Sequence, residues 1–139
     1  MRDAVVDIIG ANVDPSHLIW QGMDPVEVIK VLGKSNAIHH FHAKDTKIDK
    51  TNTSVNGVLD VGSYANVLDR SWVFRTVGYG NGKEMWKAVL SALKATVYDG
   101  VISIEHEDSL MSSKEGLEKA VKFLQEVLIY ETAGEAWWI

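Results

Sequence analysis

Strand-like and helix-like segments alternate three times along the chain, and this order constrains its fold more than any other feature. Short apolar segments bounded by turn residues predict buried strands over residues 10–14, 38–43 and 101–105. Amphipathic periodicity predicts the helices that follow them, over residues 25–33, 83–95 and 113–128. Such an order implies right-handed crossovers and a parallel sheet, so we predict an α/β fold.

Capping residues define the start of two of these helices. Asp24 precedes Pro25, which suits the first helical position because its missing N–H has no partner there. Ser112 and Glu115 have the spacing of a capping box at the start of the last helix. The first helix is predicted to stop at Gly33.

Composition limits what such a fold can do. The 139 residues, 46% apolar and 24% charged, suffice for a single domain over residues 1–139. No apolar run approaches the roughly 18 residues of a membrane span, and the start does not resemble a signal peptide, so we expect a cytoplasmic protein with no membrane partner. The formal charge of −5 with scattered basic residues argues against a nucleic-acid partner. Because cysteine is absent, a metal site must use oxygen and imidazole ligands.

Residues 45–82 show little periodicity and are rich in Thr, Asn, Ser and Gly up to Ser63. Loops of this length inside compact domains are usually lids or binding loops, or else disordered. We therefore expect one long loop here. One role for such a loop would be that of a lid that closes over a ligand site.

Histidines and carboxylates gather at the predicted carboxyl ends of the three strands. They are Asp14 and His17, then His39, His40, His42 and Asp45, then Glu105, His106, Glu107 and Asp108, and they include all five histidines. In parallel α/β folds the ligand site lies outside those ends, because loops and helix amino termini converge there. Residue type and position therefore indicate one polar site.

One residue from each strand end is a candidate metal ligand. Alternation along the second strand puts Ile38, His40 and His42 on one face and the intervening residues on the other. Asp14, His42 and Glu105 would then form a site for a hard or borderline divalent cation, namely Mn²⁺, Mg²⁺, Co²⁺ or Zn²⁺. Three protein ligands leave open positions for substrate oxygens.

Several neighbouring residues have simpler interpretations. Strand alternation points His39 and His106 away from the ligands, so both are interpreted as structural. Glu107 and Asp108 either cap or solvate the turn before the last helix or act in the site. The glycine turn at 78–82 lacks the Lys-Ser/Thr ending of a P-loop, so its signal for phosphate binding is weak.

Four motifs in a fixed order carry a family resemblance. They are 12–17 (NVDPSH), 40–46 (HFHAKDT), Arg75 with 78–80 (GYG), and 98–108 (YDGVISIEHED). As an ordered set they resemble the sugar phosphate isomerase/epimerase family, which has the xylose isomerase-like TIM barrel. The resemblance implies a partial TIM barrel of about three βα units, corresponding to the last three of a (β/α)8 barrel.

A full barrel takes about 250 residues and eight strands, so the resemblance implies that this chain is the carboxyl-terminal part of one. Residues 2–9 resemble the tail of the preceding helix. A partial sheet would expose two edges and an apolar inner face, so we expect a homo-oligomer that completes the barrel. The apolar end at 136–139 (AWWI) is expected to pack on something.

The resemblance also implies roles for individual residues. Asp14, His42 and Glu105 match the family's metal ligands, and Glu105 also matches one of its two catalytic carboxylates. His17 matches a residue that binds substrate hydroxyls.

Three further residues are candidates for substrate binding. Arg75 lies near the glycine turn and is a candidate for binding a substrate oxygen or phosphate. Lys44 is expected to hold Asp45 and orient the loop, or to reach the substrate. His40 shares the ligand face of its strand with His42.

The activity implied by the resemblance is isomerisation or epimerisation of a keto sugar or sugar phosphate. In the family a divalent metal polarises the carbonyl, glutamates on both sides of the neighbouring carbon move its proton, and an enediolate forms. The second glutamate comes from a preceding strand and has no counterpart in this sequence, so we expect weak or no activity from this chain alone. Two alternatives stay open: a non-catalytic assembly or binding fragment with a vestigial metal site, and DNA repair of the endonuclease IV type, against which the acidic balance argues.

Overall fold

The computed structural model describes residues 8–132, 134–136 and 138. The strands in these ranges are β1 (Ala11–Val13), β2 (Ile38–Ala43), β3 (Asp45–Ile48), β4 (Trp72–Arg75) and β5 (Ile102–Ile104). The α-helices are α1 (Pro15–Trp20), α2 (Pro25–Lys34), α3 (Lys50–Asn56), α4 (Lys83–Ala95) and α5 (Ser113–Val127), and a 3-10 helix covers Val67–Asp69. None of the helices in these ranges combines the length and apolarity needed to cross a bilayer.

A parallel sheet of three strands, in the order β1-β2-β5, forms the centre of the fold. Val13 is paired with Phe41, and His42 with Ser103, so the three strands end at the same edge. This arrangement confirms the predicted α/β fold with a parallel sheet and is that of a partial TIM barrel. Everything that follows β1, β2 and β5 therefore starts from one rim.

The core lies between the sheet and the helices that return along it. Phe41 points from β2 into this layer and is fully buried, as are Ile29 of α2 and Trp86 of α4. Leu124 of α5 completes the same cluster. Burying side chains of this size contributes about 1.5–3 kcal/mol each, and it fixes which face of β2 is left for polar residues.

Local capping sets the helix starts as the sequence predicts. The Asp24 carboxylate accepts a hydrogen bond from the backbone N–H of Val26 at 2.8 Å, and the Ser112 hydroxyl accepts one from Glu115 at 3.3 Å. The end of α2 differs, because the helix continues to Lys34 instead of stopping at Gly33. Gly33 is needed for packing: a Cβ there would lie 2.3 Å from the Thr96 side chain.

The prediction of one long loop over residues 45–82 is wrong. Strands β3 and β4 pair antiparallel in this region, with Thr46 opposite Phe74 and Ile48 opposite Trp72, and α3 lies between them. The sequence DTKI of β3 is polar and short, and its partner lies far along the chain. Single-strand periodicity does not reveal such a pair, although the bulky residues of β4 are a strand signal that the sequence analysis missed.

Two predictions fall mostly or partly outside the described residues. The predicted helix tail over residues 2–9 has only residues 8 and 9 inside the described ranges. In the terminal segment Ala136 and Trp138 are described, whereas Trp137 and Ile139 are not.

Candidate metal centre

Three side chains from three neighbouring strand ends meet at the rim of the sheet. Asp14 directly follows β1, His42 lies one residue before the end of β2, and Glu105 directly follows β5. Each offers one ligand atom, and these atoms all lie within 4.8 Å of one another. The structure therefore brings together the three residues that the sequence selected as metal ligands.

The turn after β1 presents one oxygen of Asp14 to this site. Asp14 is the N-cap of α1, and its Oδ1 accepts a hydrogen bond from the backbone N–H of Ser16 at 2.9 Å. Pro15 occupies the first helical position, where no N–H is needed. The other oxygen, Oδ2, lies 3.6 Å from His17 Nε2 and 3.6 Å from Lys44 Nζ.

The sheet register sets His42 against Glu105. Glu105 continues β5 by donating its backbone N–H to the carbonyl of Ala43 at 3.2 Å. This places Glu105 Oε2 2.9 Å from His42 Nδ1. The second ring nitrogen, Nε2, lies 3.4 Å from the side-chain amide of Asn12. The short contact with Glu105 therefore fixes the orientation of the imidazole ring.

Lys44 lies inside this acidic cluster, which corrects the expected pairing of Lys44 with Asp45. Its side chain is 2% exposed, and Nζ donates hydrogen bonds to Glu105 Oε1 at 2.7 Å and to Glu107 Oε2 at 2.8 Å. The Nζ atom also lies 4.3 Å from the centre of the Phe74 ring. A single buried ammonium is thus shared by three carboxylates, those of Asp14, Glu105 and Glu107.

The charges in this cluster shift two pKa values in complementary directions. The hydrogen bond from Lys44 is the main reason that the pKa of Glu105 is lowered, which outweighs the opposing effect of burial. Burial lowers the pKa of Lys44, but its hydrogen bonds to Glu105 and Glu107 and the charge of Asp14 together raise it above the usual value. At neutral pH Glu105 is a carboxylate and Lys44 an ammonium.

Asp45 has a different partner set, which the sequence analysis missed. This fully buried carboxylate accepts hydrogen bonds from the backbone N–H groups of Gly78, Gly80 and Asn81 and from the indole of Trp86, at 2.9–3.2 Å. The glycine turn is therefore an anion cradle, but it is occupied by a side chain of the same molecule. Gly80 is required because a Cβ there would meet the backbone of β3 at 2.6 Å.

The remaining predicted site residues lie at different distances from the centre. His17 is half-exposed next to Asp14 and contacts Phe74 edge-on, with the ring centres 5.2 Å apart. His40 lies behind His42 on the same strand face, with ring centres 5.0 Å apart, and its Nε2 is 2.9 Å from the hydroxyl of Ser103. Neither is among the three convergent ligand atoms.

Arg75 is held by Asp108 and not by the metal centre. Its Nε donates to Asp108 Oδ2 at 3.0 Å, and the same carboxylate accepts the backbone N–H groups of Thr76 at 2.8 Å and Leu110 at 2.9 Å. The Asp108 side chain is completely buried. Of the two interpretations given above, capping and holding the turn is therefore the one that the structure supports for Asp108.

Known proteins share this architecture. Residues 2–127 match the family described as xylose isomerase-like TIM barrel. The chain belongs to this family. The match confirms the resemblance carried by the four motifs. In TIM barrels the ligand site lies at the carboxyl ends of the strands, which is where this xylose isomerase-like barrel segment has its polar residues.

Two relatives show how much of a longer protein this barrel segment covers. It is 38% identical over 128 residues to the uncharacterised protein YfiH of Bacillus subtilis (strain 168), covering 92% of this chain and 40% of that protein. It is also similar to the crystal structure of a xylose isomerase domain protein from Planctomyces limnophilus, with a TM-score of 0.63, 23% identity, and coverage of 91% of this chain and 40% of that one. The likeness to that structure shows the fold. The chain spans about two fifths of the length of either relative.

Proposed function

We propose that this chain carries the metal-binding part of a sugar isomerase or epimerase, which moves a proton on the carbon next to a sugar carbonyl. The convergence of Asp14, His42 and Glu105 at the rim is the observation that supports this proposal most strongly. The shared barrel family agrees with it.

The donor set fits a divalent cation. Two carboxylate oxygens and one imidazole nitrogen suit Mn²⁺, Mg²⁺, Co²⁺ or Zn²⁺. Lys44 places one positive charge against Asp14 and Glu105, so a cation bound at this part of the rim would share these carboxylates with its ammonium. When bound there, such a cation would act as a Lewis acid on a carbonyl oxygen.

The residues of the chain divide into two roles in this proposal. Glu105 accepts or returns the substrate proton, and at neutral pH it is a carboxylate, the form that accepts one. His17 is half-exposed beside Asp14 and donates a hydrogen bond to a substrate hydroxyl. Lys44 is hydrogen-bonded to Glu105 and holds this reacting side chain in place, whereas His40 is bonded to Ser103.

The second catalytic carboxylate of such a reaction is proposed to come from outside this chain. Removal and return of a proton on opposite faces of a carbon need two groups, and Glu105 serves one face. We accordingly propose little or no turnover by the chain alone.

We also propose self-association, since β1 and β5 are the outer strands of the described parallel sheet and each has one edge without a strand partner there. A monomer at high concentration in light scattering would contradict the association.

Metal titration tests the proposed site. We expect one Mn²⁺ ion to bind per chain. Electron paramagnetic resonance of the free ion measures how much Mn²⁺ has bound. Asp14→Asn, His42→Ala and Glu105→Gln should each weaken binding by at least about tenfold. His39→Ala is the matched control, because His39 lies on the opposite face of β2 and should leave the affinity unchanged.

A proton-exchange assay tests the proposed reaction separately. A panel of ketoses in deuterated solvent with Mn²⁺ should show exchange at the carbon next to the carbonyl that depends on Glu105, at a low rate for this chain alone. Binding of Mn²⁺ without any exchange, even in a full-length relative, would favour a vestigial metal site. Absence of Mn²⁺ binding would reject the proposed site itself.

A further inference from the structure

A cavity of about 450 Å³ opens beside the metal centre on the side of the β3–β4 pair. Its lining residues are Tyr64, Phe74, Glu107, Asp108 and Ser109. Lys44 connects the two places, since its ammonium bonds both Glu105 and Glu107 and lies over the ring of Phe74. The volume is within the range of about 300–1,000 Å³ found for small-molecule sites.

Aromatic rings form one wall of this cavity. The rings of Tyr64 and Phe74 lie nearly parallel, at 18°, with their centres 6.5 Å apart. Phe74 also contacts Trp72 edge-on at 5.0 Å, and Trp72 is stacked on Trp20 at 4.9 Å. Such rings offer rigid apolar faces against which the C–H side of a sugar packs. Tyr64 is 41% exposed, so its ring is accessible from the cavity.

The charge of the cavity is negative. Glu107 is 54% exposed, and its Oε2 accepts the hydrogen bond from Lys44. The nearby cations are already committed: Lys44 is buried among the carboxylates, and Arg75 is paired with Asp108. Arg70 is 3% exposed, and it donates to backbone carbonyl groups and lies against the ring of Tyr64. Within the described part of the chain, no uncommitted Lys or Arg lines this cavity.

We infer that this cavity binds the hydroxyl-bearing part of an unphosphorylated sugar and discriminates against the corresponding sugar phosphate. The Glu107 carboxylate accepts hydrogen bonds from sugar hydroxyls, while the exposed ring of Tyr64 packs on the sugar carbons and the 9% exposed Phe74 supports that ring. A phosphate group would bring two negative charges next to Glu107, and no Lys or Arg of the described lining is free to receive them. This inference rests on the proposed function for the reaction that the bound sugar undergoes, and it narrows the substrate class.

Competition between two probes tests this inference. D-fructose and D-fructose 6-phosphate are added to the metal-free chain, so that the phosphate has no Mg²⁺ to coordinate, and binding is followed by saturation-transfer NMR. We expect the uncharged ketose to bind at least about tenfold more tightly. Glu107→Gln should narrow that ratio, because it removes the repelling charge. Tyr64→Leu should weaken binding of the ketose by several-fold without changing Mg²⁺ affinity, and Tyr130→Leu, at a position away from the cavity, should change neither.

The outcomes separate this inference from the proposed function. If Mg²⁺ binds at the triad but the phosphate ester binds as well as the ketose, or if neither sugar binds, the cavity inference is overturned and the metal site stands. If the ketose binds with the expected dependence on Tyr64 and Glu107 while the triad variants leave Mg²⁺ affinity unchanged, the proposed metal function fails and the cavity inference stands. Circular dichroism of each variant verifies that the fold is retained.

Discussion

Asp45 offers the most demanding test of how the rim is held together. Its Oδ2 accepts four hydrogen bonds from the glycine turn and Trp86, and its Oδ1 accepts two more, from the Thr46 backbone at 2.8 Å and the Asn81 side chain at 2.7 Å. The residue is 0% exposed. An Asp45→Asn substitution keeps the shape of the side chain but turns one acceptor into a donor.

The cost of this change can be worked out from the partner list. In the better of the two amide orientations, the new NH2 group faces the two donors that Oδ1 satisfied. The Thr46 N–H then loses its acceptor, and the Asn81 amide keeps only its bond to the Thr46 carbonyl at 2.9 Å. Each buried unsatisfied donor costs about 1–3 kcal/mol, and the four remaining bonds lose the strength that a charged acceptor gives them. We therefore expect a loss of about 4 kcal/mol, a large share of the roughly 5–15 kcal/mol that stabilises a typical domain.

Urea unfolding followed by tryptophan fluorescence measures this loss, because Trp86 is buried in contact with Asp45. Asp49→Asn is the matched control: Asp49 caps α3 through the backbone N–H of Asn52 at 2.8 Å, and asparagine caps equally well. A difference between the two variants of less than about 1 kcal/mol would refute the argument that unsatisfied donors dominate.

Two further predictions concern the charged groups around the rim. Lys44→Met removes the positive charge shared by Glu105 and Glu107 and should lower the free energy of unfolding by about 3 kcal/mol, near the low end for a buried ion pair because both carboxylates are partly exposed. Added Mg²⁺ should raise the melting temperature of this variant more than that of the parent. An equal rise in both proteins would contradict the reasoning. Burial alone would raise the pKa of Asp108, but hydrogen bonds from two backbone N–H groups and from Arg75 together lower it. A carboxyl group with a lowered pKa stabilises the fold above about pH 4, and this stabilisation is lost as the pH falls further. The difference in unfolding free energy between the parent and Asp108→Asn should therefore shrink when urea unfolding is repeated at acid pH. A difference that does not depend on pH would contradict this prediction.

The strand and helix order was predictable because it depends on local signals. Strand β2 runs over the predicted residues 38–43, and α4 over the predicted 83–95, since apolar periodicity and turn residues are properties of short segments. The ligand set was predictable for a related reason. Once three strands are parallel, residues that follow each of them share one rim, so Asp14, His42 and Glu105 had to lie near one another.

What the sequence alone determined was thus the alternation, the parallel sheet and the identity of three convergent side chains. Only the tertiary structure decided the partners of the adjacent charges, Lys44 and Asp45. Consecutive residues at a strand end point in opposite directions, so one ammonium enters the acidic cluster and the neighbouring carboxylate enters the glycine turn. Glu105 and Glu107 lie more than sixty residues from Lys44, and the glycine turn and Trp86 lie more than thirty residues from Asp45, so no local pattern encodes these partners.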